Sequence, residues 1–168
     1  MEPIDLLHSL RVGQGFDVHP FDSSRPLRLG GVQIPDAPGL RGHSDADVVL
    51  HAVTDAVLGA LGWGDIGRWF PDSDQSLAGA DSVRFLVEVI QKATKEGWQV
   101  VNCDVVILAE KPRIAPYVDL MKQAIGSAMH TSSDRVGIKA TTTERLGFVG
   151  REEGIAASSV VLLCRTGN

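Results

Sequence analysis

Five places along the chain carry residue types suited to chemistry. The first is Asp17-Val18-His19. On a strand, residues i and i+2 share a face, so this carboxylate and imidazole would project together. Alone, such a pair describes a hydrogen bond as well as it describes a ligand set. The second is SDADVVLHAVTDAVLGALG, where Val48, Val49, Leu50, Val53, Val57, Leu58 and Leu61 surround a helix almost completely. A helix of that kind is expected to be buried. Asp47, His51 and Asp55 still recur at i, i+4 and i+8, a polar stripe along one face. Buried carboxylates and imidazoles are costly unless paired or metal-bound. Asp17, His19 and His51 together offer one oxygen and two nitrogens, a set that suits Zn2+ with one open position. Asp47 or Asp55, each one turn from His51, would then orient its imidazole.

The third place is His43-Ser44, just ahead of that helix, where free N–H groups favour a phosphate. Ser44 reads equally as a plain N-cap. The fourth runs from Lys139 to Arg151. Thr141, Thr142 and Thr143 are followed by Glu144, then by glycines flanked by cations. Hydroxyls and turn amides suit phosphate oxygens, and Glu144 suits a hard cation such as Mg2+. The same letters also describe a Thr-rich strand end with a Gly turn. The fifth is Asp65-Ile66-Gly67 with Phe70-Pro71-Asp72-Ser73-Asp74, either a solvated turn cluster or a loop with acids for sugar hydroxyls.

These residues need a scaffold, and 168 residues suffice for one domain. Charged residues are 22% and hydrophobic ones 43%, as in soluble globular proteins rather than disordered ones. A net charge of −5 argues against a nucleic-acid binder but not against a phosphorylated substrate, because a metal ion supplies local positive charge. Cys103 and Cys164 sit in separate apolar runs and read as buried thiols, which fits a reducing cytosol. No run reaches the roughly 18 apolar residues of a membrane span, so no membrane association is expected. Residues 1–10 lack a basic n-region and read as a variable lead-in. The expected location is the bacterial cytoplasm, or a plastid stroma if a transit peptide has been removed.

RVGQGFDVH reads as a strand entered through glycines, and PLRLGGVQI as a short strand pair turning at Gly30-Gly31. Ser44 is expected to cap the buried helix and Gly62 to end it. WGDIGRWFPDSDQSLAGA reads as a long functional loop. SVRFLVEVIQKATKEG and APYVDLMKQAIGSAMH read as helices, and WQVVNCDVVILAE, DRVGIKATTTE and GIAASSVVLLC as strands. The expected fold is α+β: a mixed four-stranded sheet plus a hairpin, helices on one face, in a single domain over residues 11–165.

GFDVH, GGVQIP, HSDADVVLHAVTDAVLGALGWGDIGRWFPDSD, NCDVVILAEKPRIAP and IKATTTERLGFVGREEGIA, in this order, resemble the signature segments of the 2-C-methyl-D-erythritol 2,4-cyclodiphosphate synthases. The resemblance runs from about Arg11 to Leu163. It implies one catalytic Zn2+ per subunit on Asp17, His19 and His51. It also implies Mg2+ or Mn2+ at the substrate diphosphate, held by Glu144. The transition-state-stabilising positions fall on His43 and Thr142. The phosphate and erythritol end would meet Asp17-Val18-His19, His43-Ser44, Asp65-Ile66-Gly67 and Phe70 to Asp74. Cytidine would meet Ala109, Glu110, Lys111 and Pro112, then Arg113, Ile114 and Ala115, with Thr141, Thr142, Thr143 and Glu144. Phe148 and Arg151 match positions near the phosphates and the axis of a homotrimer, whose central cavity binds isoprenoid diphosphates in many members. The family often has Gly where Ala46 stands, Thr where Ser73 stands, and Lys where Arg113 stands.

The implied reaction converts 4-diphosphocytidyl-2-C-methyl-D-erythritol 2-phosphate to the 2,4-cyclodiphosphate with release of CMP. Two other readings of the same residues are a zinc-dependent nucleotide hydrolase and a non-catalytic trimer that binds nucleotide or isoprenoid.

Overall fold

Alternation along the first strand decides the architecture. The computed structural model describes residues 8–166. Strand β1 (Leu10–Leu29) pairs antiparallel with β5 (Gly154–Arg165) as far as Pro20↔Gly154. From Phe21↔Leu40 onward it pairs instead with β2 (Val32–Leu40). Strand β3 (Trp98–Leu108) runs antiparallel to β5, and β4 (Val136–Thr141) lies parallel to β3. The order is β2-β1-β5-β3-β4, one five-stranded mixed sheet. The expected four strands plus hairpin is thus corrected. The hairpin is no separate unit, because β1 continues through Pro20 and changes partner there. A residue without an N–H is tolerated at such a point, where the ladder is interrupted anyway.

Helices α1 (Val48–Leu61), α2 (Ile66–Trp69), α3 (Ser82–Lys95), α4 (Val118–Ala128) and α5 (Gly147–Gly150) complete the fold. The stretch read as one long loop holds α2 and a 3-10 turn at Gln75–Leu77. α1 is buried along nearly its whole length, as its all-round apolar sequence requires. It packs on the face of β1 that carries Gly13 and Gly15, where an added Cβ would lie about 2 Å from the carbonyl oxygens of Ala56 and Ala52. On β5 the same face carries Ile155, Ala157, Val161 and Leu163, all buried. The other face is bare: Val12, Phe16, Val18 and Val160 are 68%, 56%, 41% and 43% exposed.

The cap of α1 is Asp47, not Ser44. The fully buried Asp47 carboxylate accepts from the N–H groups of Val49 and Leu50 in the helix and of Gly30 and Gly31 in the β1–β2 turn. Burial pushes its pKa up, while these amides pull the other way. Asp47 is therefore spent on the fold and does not orient His51. Asp47→Ala, which strands four donors, is expected to cost about 3–5 kcal/mol in a urea titration. Asp47→Asn keeps an acceptor at Oδ1 and is expected to cost less than half of that.

Leu10, placed in the lead-in by sequence, is the first residue of β1 and pairs with Cys164; residues 1–7 lie outside the described residues. Cys103 is buried, and burial pushes its thiol up to about 11. No helix among the described residues is long and apolar enough to cross a membrane.

Candidate active site

The period-2 placement of Asp17 and His19 puts both on the helix face of β1, opposite His51 on α1. His19 Nε2 and His51 Nδ1 lie 2.9 and 3.0 Å from Asp17 Oδ2, and 3.0 Å from each other. Their outer partners assign the tautomers. His19 Nδ1–H donates to the Arg41 carbonyl at 2.8 Å, leaving Nε2 with a lone pair. The Ser82 hydroxyl donates to Asp45 Oδ1, so it accepts from His51 Nε2–H at 2.9 Å, with Ser44 Oγ also 3.1 Å away. This leaves His51 Nδ1 with a lone pair as well. Three lone-pair atoms within about 3 Å repel unless a cation lies between them. The donor set and its fixed tautomers therefore fit a divalent metal.

A proton is the alternative occupant. Burial works to raise the Asp17 pKa, but hydrogen bonds and charge from His19 and His51 outweigh it and hold the carboxyl well below the usual range. For His19, burial works downward, and the Asp17 carboxylate outweighs it and raises the pKa.

Asp17, His19 and His51 open onto a cavity of about 430 Å3. Its walls include His43, Ser44, Ile66, Gly67 and the stretch from Phe70 to Ser73. His43 Nε2–H donates to the Asp74 carbonyl at 2.9 Å, joining the two loops across the cavity. Phe70 stacks on Phe85, centroids 4.3 Å apart, and Phe85 stacks in turn on His51 at 6.5 Å. The Asp65 side chain caps α2 by accepting from Arg68 N–H. Val18 points to the opposite face of the sheet and does not line the cavity. Ala46 has φ +57, the region that glycine occupies without strain.

The other predicted residues gather elsewhere. The loop from Ala109 to Ala115 and the loop after β4 are tied by Glu110, whose Oε1 accepts from Thr143 N–H at 2.9 Å, Thr143 Oγ1 at 3.3 Å and Arg145 N–H at 3.3 Å. Those amides hold the Glu110 pKa down. The bond Lys111–Pro112 is cis. Thr142 Oγ1 donates to Glu144 Oε1 at 3.1 Å. Arg151 pairs with Glu153 at 2.8 Å, and Phe148 is 39% exposed. None of these residues lines the cavity beside Asp17, His19 and His51. Val18, Ala156, Leu108 and Thr141 lie side by side on successive strands, three strand spacings or about 14 Å across the sheet. Within one chain, the two halves of the predicted site stand apart.

Several residues with work in the site carry no sequence signature. Ser82 and Asp45 fix His51. The Arg25 guanidinium donates to the carbonyls of Gly42 and Ser44, bracketing His43. Asp55, expected beside His51, instead accepts from Ile66 N–H at 2.7 Å.

A family model described as the YgbB family matches residues 10–164. The 2-C-methyl-D-erythritol 2,4-cyclodiphosphate synthase of Listeria monocytogenes serotype 4a (strain HCC23) is 54% identical over 154 residues, 92% of this chain and 98% of its own. That of Geobacillus thermodenitrificans is 56% identical over 153 residues, 91% and 96% of the two chains. The bifunctional IspDF of Campylobacter jejuni superposes with a TM-score of 0.90 at 42% identity, covering 94% of this chain and 42% of that longer one. A CDP complex of IspF from Plasmodium falciparum superposes at 0.83 with 30% identity, covering 95% and 98%.

Proposed function

The chain belongs to the YgbB family, whose relatives above are 2-C-methyl-D-erythritol 2,4-cyclodiphosphate synthases, and from that premise we infer how its residues serve the reaction. It is a lyase of the methylerythritol phosphate route to isoprenoid precursors. It closes 4-diphosphocytidyl-2-C-methyl-D-erythritol 2-phosphate to the 2,4-cyclodiphosphate and releases CMP. The observation that carries the chemistry is the convergence of Asp17, His19 and His51 lone pairs on one wall of the cavity.

An oxygen of the 2-phosphate bonds to the β-phosphorus. The bond from that phosphorus to the bridging oxygen breaks, and CMP leaves with the electron pair. The nucleophile is already anionic at pH 7, so no general base is required. The protein must align two mutually repelling phosphates and offset their charge. Zn2+ on the three ligands would supply positive charge at the β-phosphate. Glu144 would hold Mg2+ or Mn2+ at the substrate diphosphate, where the ion would supply further positive charge. His43 and Thr142 would turn the N–H and O–H now given to Asp74 and Glu144 toward oxygens that gain charge. Ile66, Gly67 and the loop to Asp74 would hold the erythritol, and the Glu110-tied loops the cytidine.

The separation of those two halves supports a site completed by a second copy of the chain. The bare face of Val12, Phe16, Val18 and Val160 supports a closed trimer as the assembly. Phe148 and Arg151 would face its central cavity, where an isoprenoid diphosphate would compete with Glu153 for the Arg151 guanidinium. A trimer insensitive to farnesyl diphosphate in a calorimetric titration would remove that part. Light scattering is expected to give three times the 18.0 kDa chain mass, and Phe16→Glu to lower both mass and activity. The unit that works would be residues 10–165, in the cytoplasm.

A phosphorus NMR time course with the cytidyl substrate, Zn2+ and Mg2+ tests the reaction. CMP and a cyclic diphosphate, both abolished by chelation, are expected. CMP with linear phosphates would mark a hydrolase instead.

A further inference from the structure

Asp55 is a half-buried carboxylate that the reaction does not use. It sits on α1 one turn beyond His51, and its pKa is raised, chiefly by burial. Its Oδ1 accepts the N–H of Ile66, the first residue of α2, at 2.7 Å. α2 presents Ile66 and Gly67 to the cavity. Its outer side carries Trp69, whose indole N–H donates to the Trp63 carbonyl at 3.2 Å. The two indoles stack with centroids 5.7 Å apart and planes 22° from parallel. Lys92 of α3 lies over both rings, 4.5 and 5.0 Å from their centroids. Beyond α2, Phe70 is stacked on Phe85 of α3.

The segment from Trp63 to Phe70 is therefore gripped from inside by α1 and from outside by α3. A four-residue helix has too few internal hydrogen bonds to hold its own place. Short surface connections between longer elements ordinarily move. Here the contacts with Asp55, Lys92 and Phe85 tie the segment to two long helices, and one of those helices carries His51. The carboxylate contact is charge-assisted, and the ammonium over two indoles is an attraction of similar kind.

We propose that Asp55, with the Trp63–Trp69–Lys92 stack, is a positioning device that fixes the Ile66–Gly67 backbone at a set distance from Asp17, His19 and His51, so that the sugar-phosphate end of the substrate meets a preformed binding surface. Asp55 acts through Ile66 and does not touch the substrate. The assignment of the cavity to that substrate rests on the function inferred above; the clamp itself does not.

The test compares Asp55→Ala, Asp55→Asn and Lys92→Met in the full chain. Four quantities are read: KM, kcat, bound zinc, and hydrogen–deuterium exchange of the segment 63–70. Asp55→Ala removes the acceptor, and KM is expected to rise about tenfold with kcat within about twofold and zinc unchanged. Asp55→Asn retains an acceptor oxygen for Ile66 N–H, and KM is expected to return to within about twofold of the unaltered protein. Lys92→Met keeps the stem but not the charge, and about a threefold rise is expected. Exchange over 63–70 should quicken in the alanine and methionine variants and not in the asparagine one.

Unchanged KM and exchange in Asp55→Ala would overturn the proposal. So would loss of zinc in that variant, which would mean that Asp55 serves His51, or an Asp55→Asn variant as impaired as the alanine. If the unaltered protein itself failed to turn over the substrate, the functional reading would fall, while the exchange measurement would still decide the clamp.

Discussion

Replacing His51 with alanine is expected to empty the metal site and to lower turnover by about 10³-fold or more. His51 would supply one of the three ligands found among the described residues, and two ligands would leave a divalent ion weakly held. The variant removes a buried ring stacked on Phe85, so its melting is read beside its zinc content, but it orphans no hydroxyl. That ring bonds to Ser44 and Ser82, whose hydroxyls retain each other and Asp45 as partners. Zinc by mass spectrometry and CMP release by chromatography are the measurements. Full zinc with full turnover would sink the ligand assignment. Ser82→Ala supplies the intermediate case. It removes the acceptor that fixes the His51 tautomer but no ligand, and metal affinity should fall about 10- to 100-fold.

The second large effect lies away from the metal. Gly15→Ala is expected to cost about 4 kcal/mol or more and to lower the melting temperature by about 10 °C or more. An added Cβ at residue 15 would stand 1.9 Å from the Ala52 carbonyl oxygen and 2.8 Å from Ala56 N, both backbone atoms of α1. No side-chain rotation relieves such a contact, so strand and helix must separate. Asp17 lies two residues further along the same strand, and His51 precedes Ala52. Separation would therefore also spoil the ligand distances. Scanning calorimetry reads the first effect and zinc affinity of the surviving folded fraction the second. A soluble variant with unaltered melting and zinc affinity would mean that α1 does not approach β1 as described.

How far the site was legible in the sequence depended on whether periodicity carried the residue. Asp17 and His19 show themselves by a two-residue step on a strand, and His51 by a polar position in an apolar helix. The same helical spacing also swept in Asp47 and Asp55, which share the stripe yet serve the N-terminus of α1 and the start of α2. Asp47 stands immediately before the first helical residue, and Ser44 is a capping type too, so residue type alone does not separate the two. Ser82, Asp45 and Arg25 had no such signal. They reach the site through single side-chain bonds between segments remote in the chain, and no pattern of types records that. The strand count failed for a related reason. Pro20 reads as a break in β1, whereas the strand changes partner at that point and goes on.

The change of partner at Pro20 also bears on how the molecule comes to exist. The half of β1 that carries Asp17 and His19 has β5 as its ladder partner, with Leu10 set against Cys164 and His19 against Ile155. Contacts between segments so remote give a high contact order, the condition for slow folding. On a ribosome, β1 waits for β5 until nearly all of this sequence has been translated. Until then Asp17 and His19 have no sheet to stand on, and a nascent chain would have no formed site for a divalent metal. Metal capture would thereby be deferred until β5 is in place.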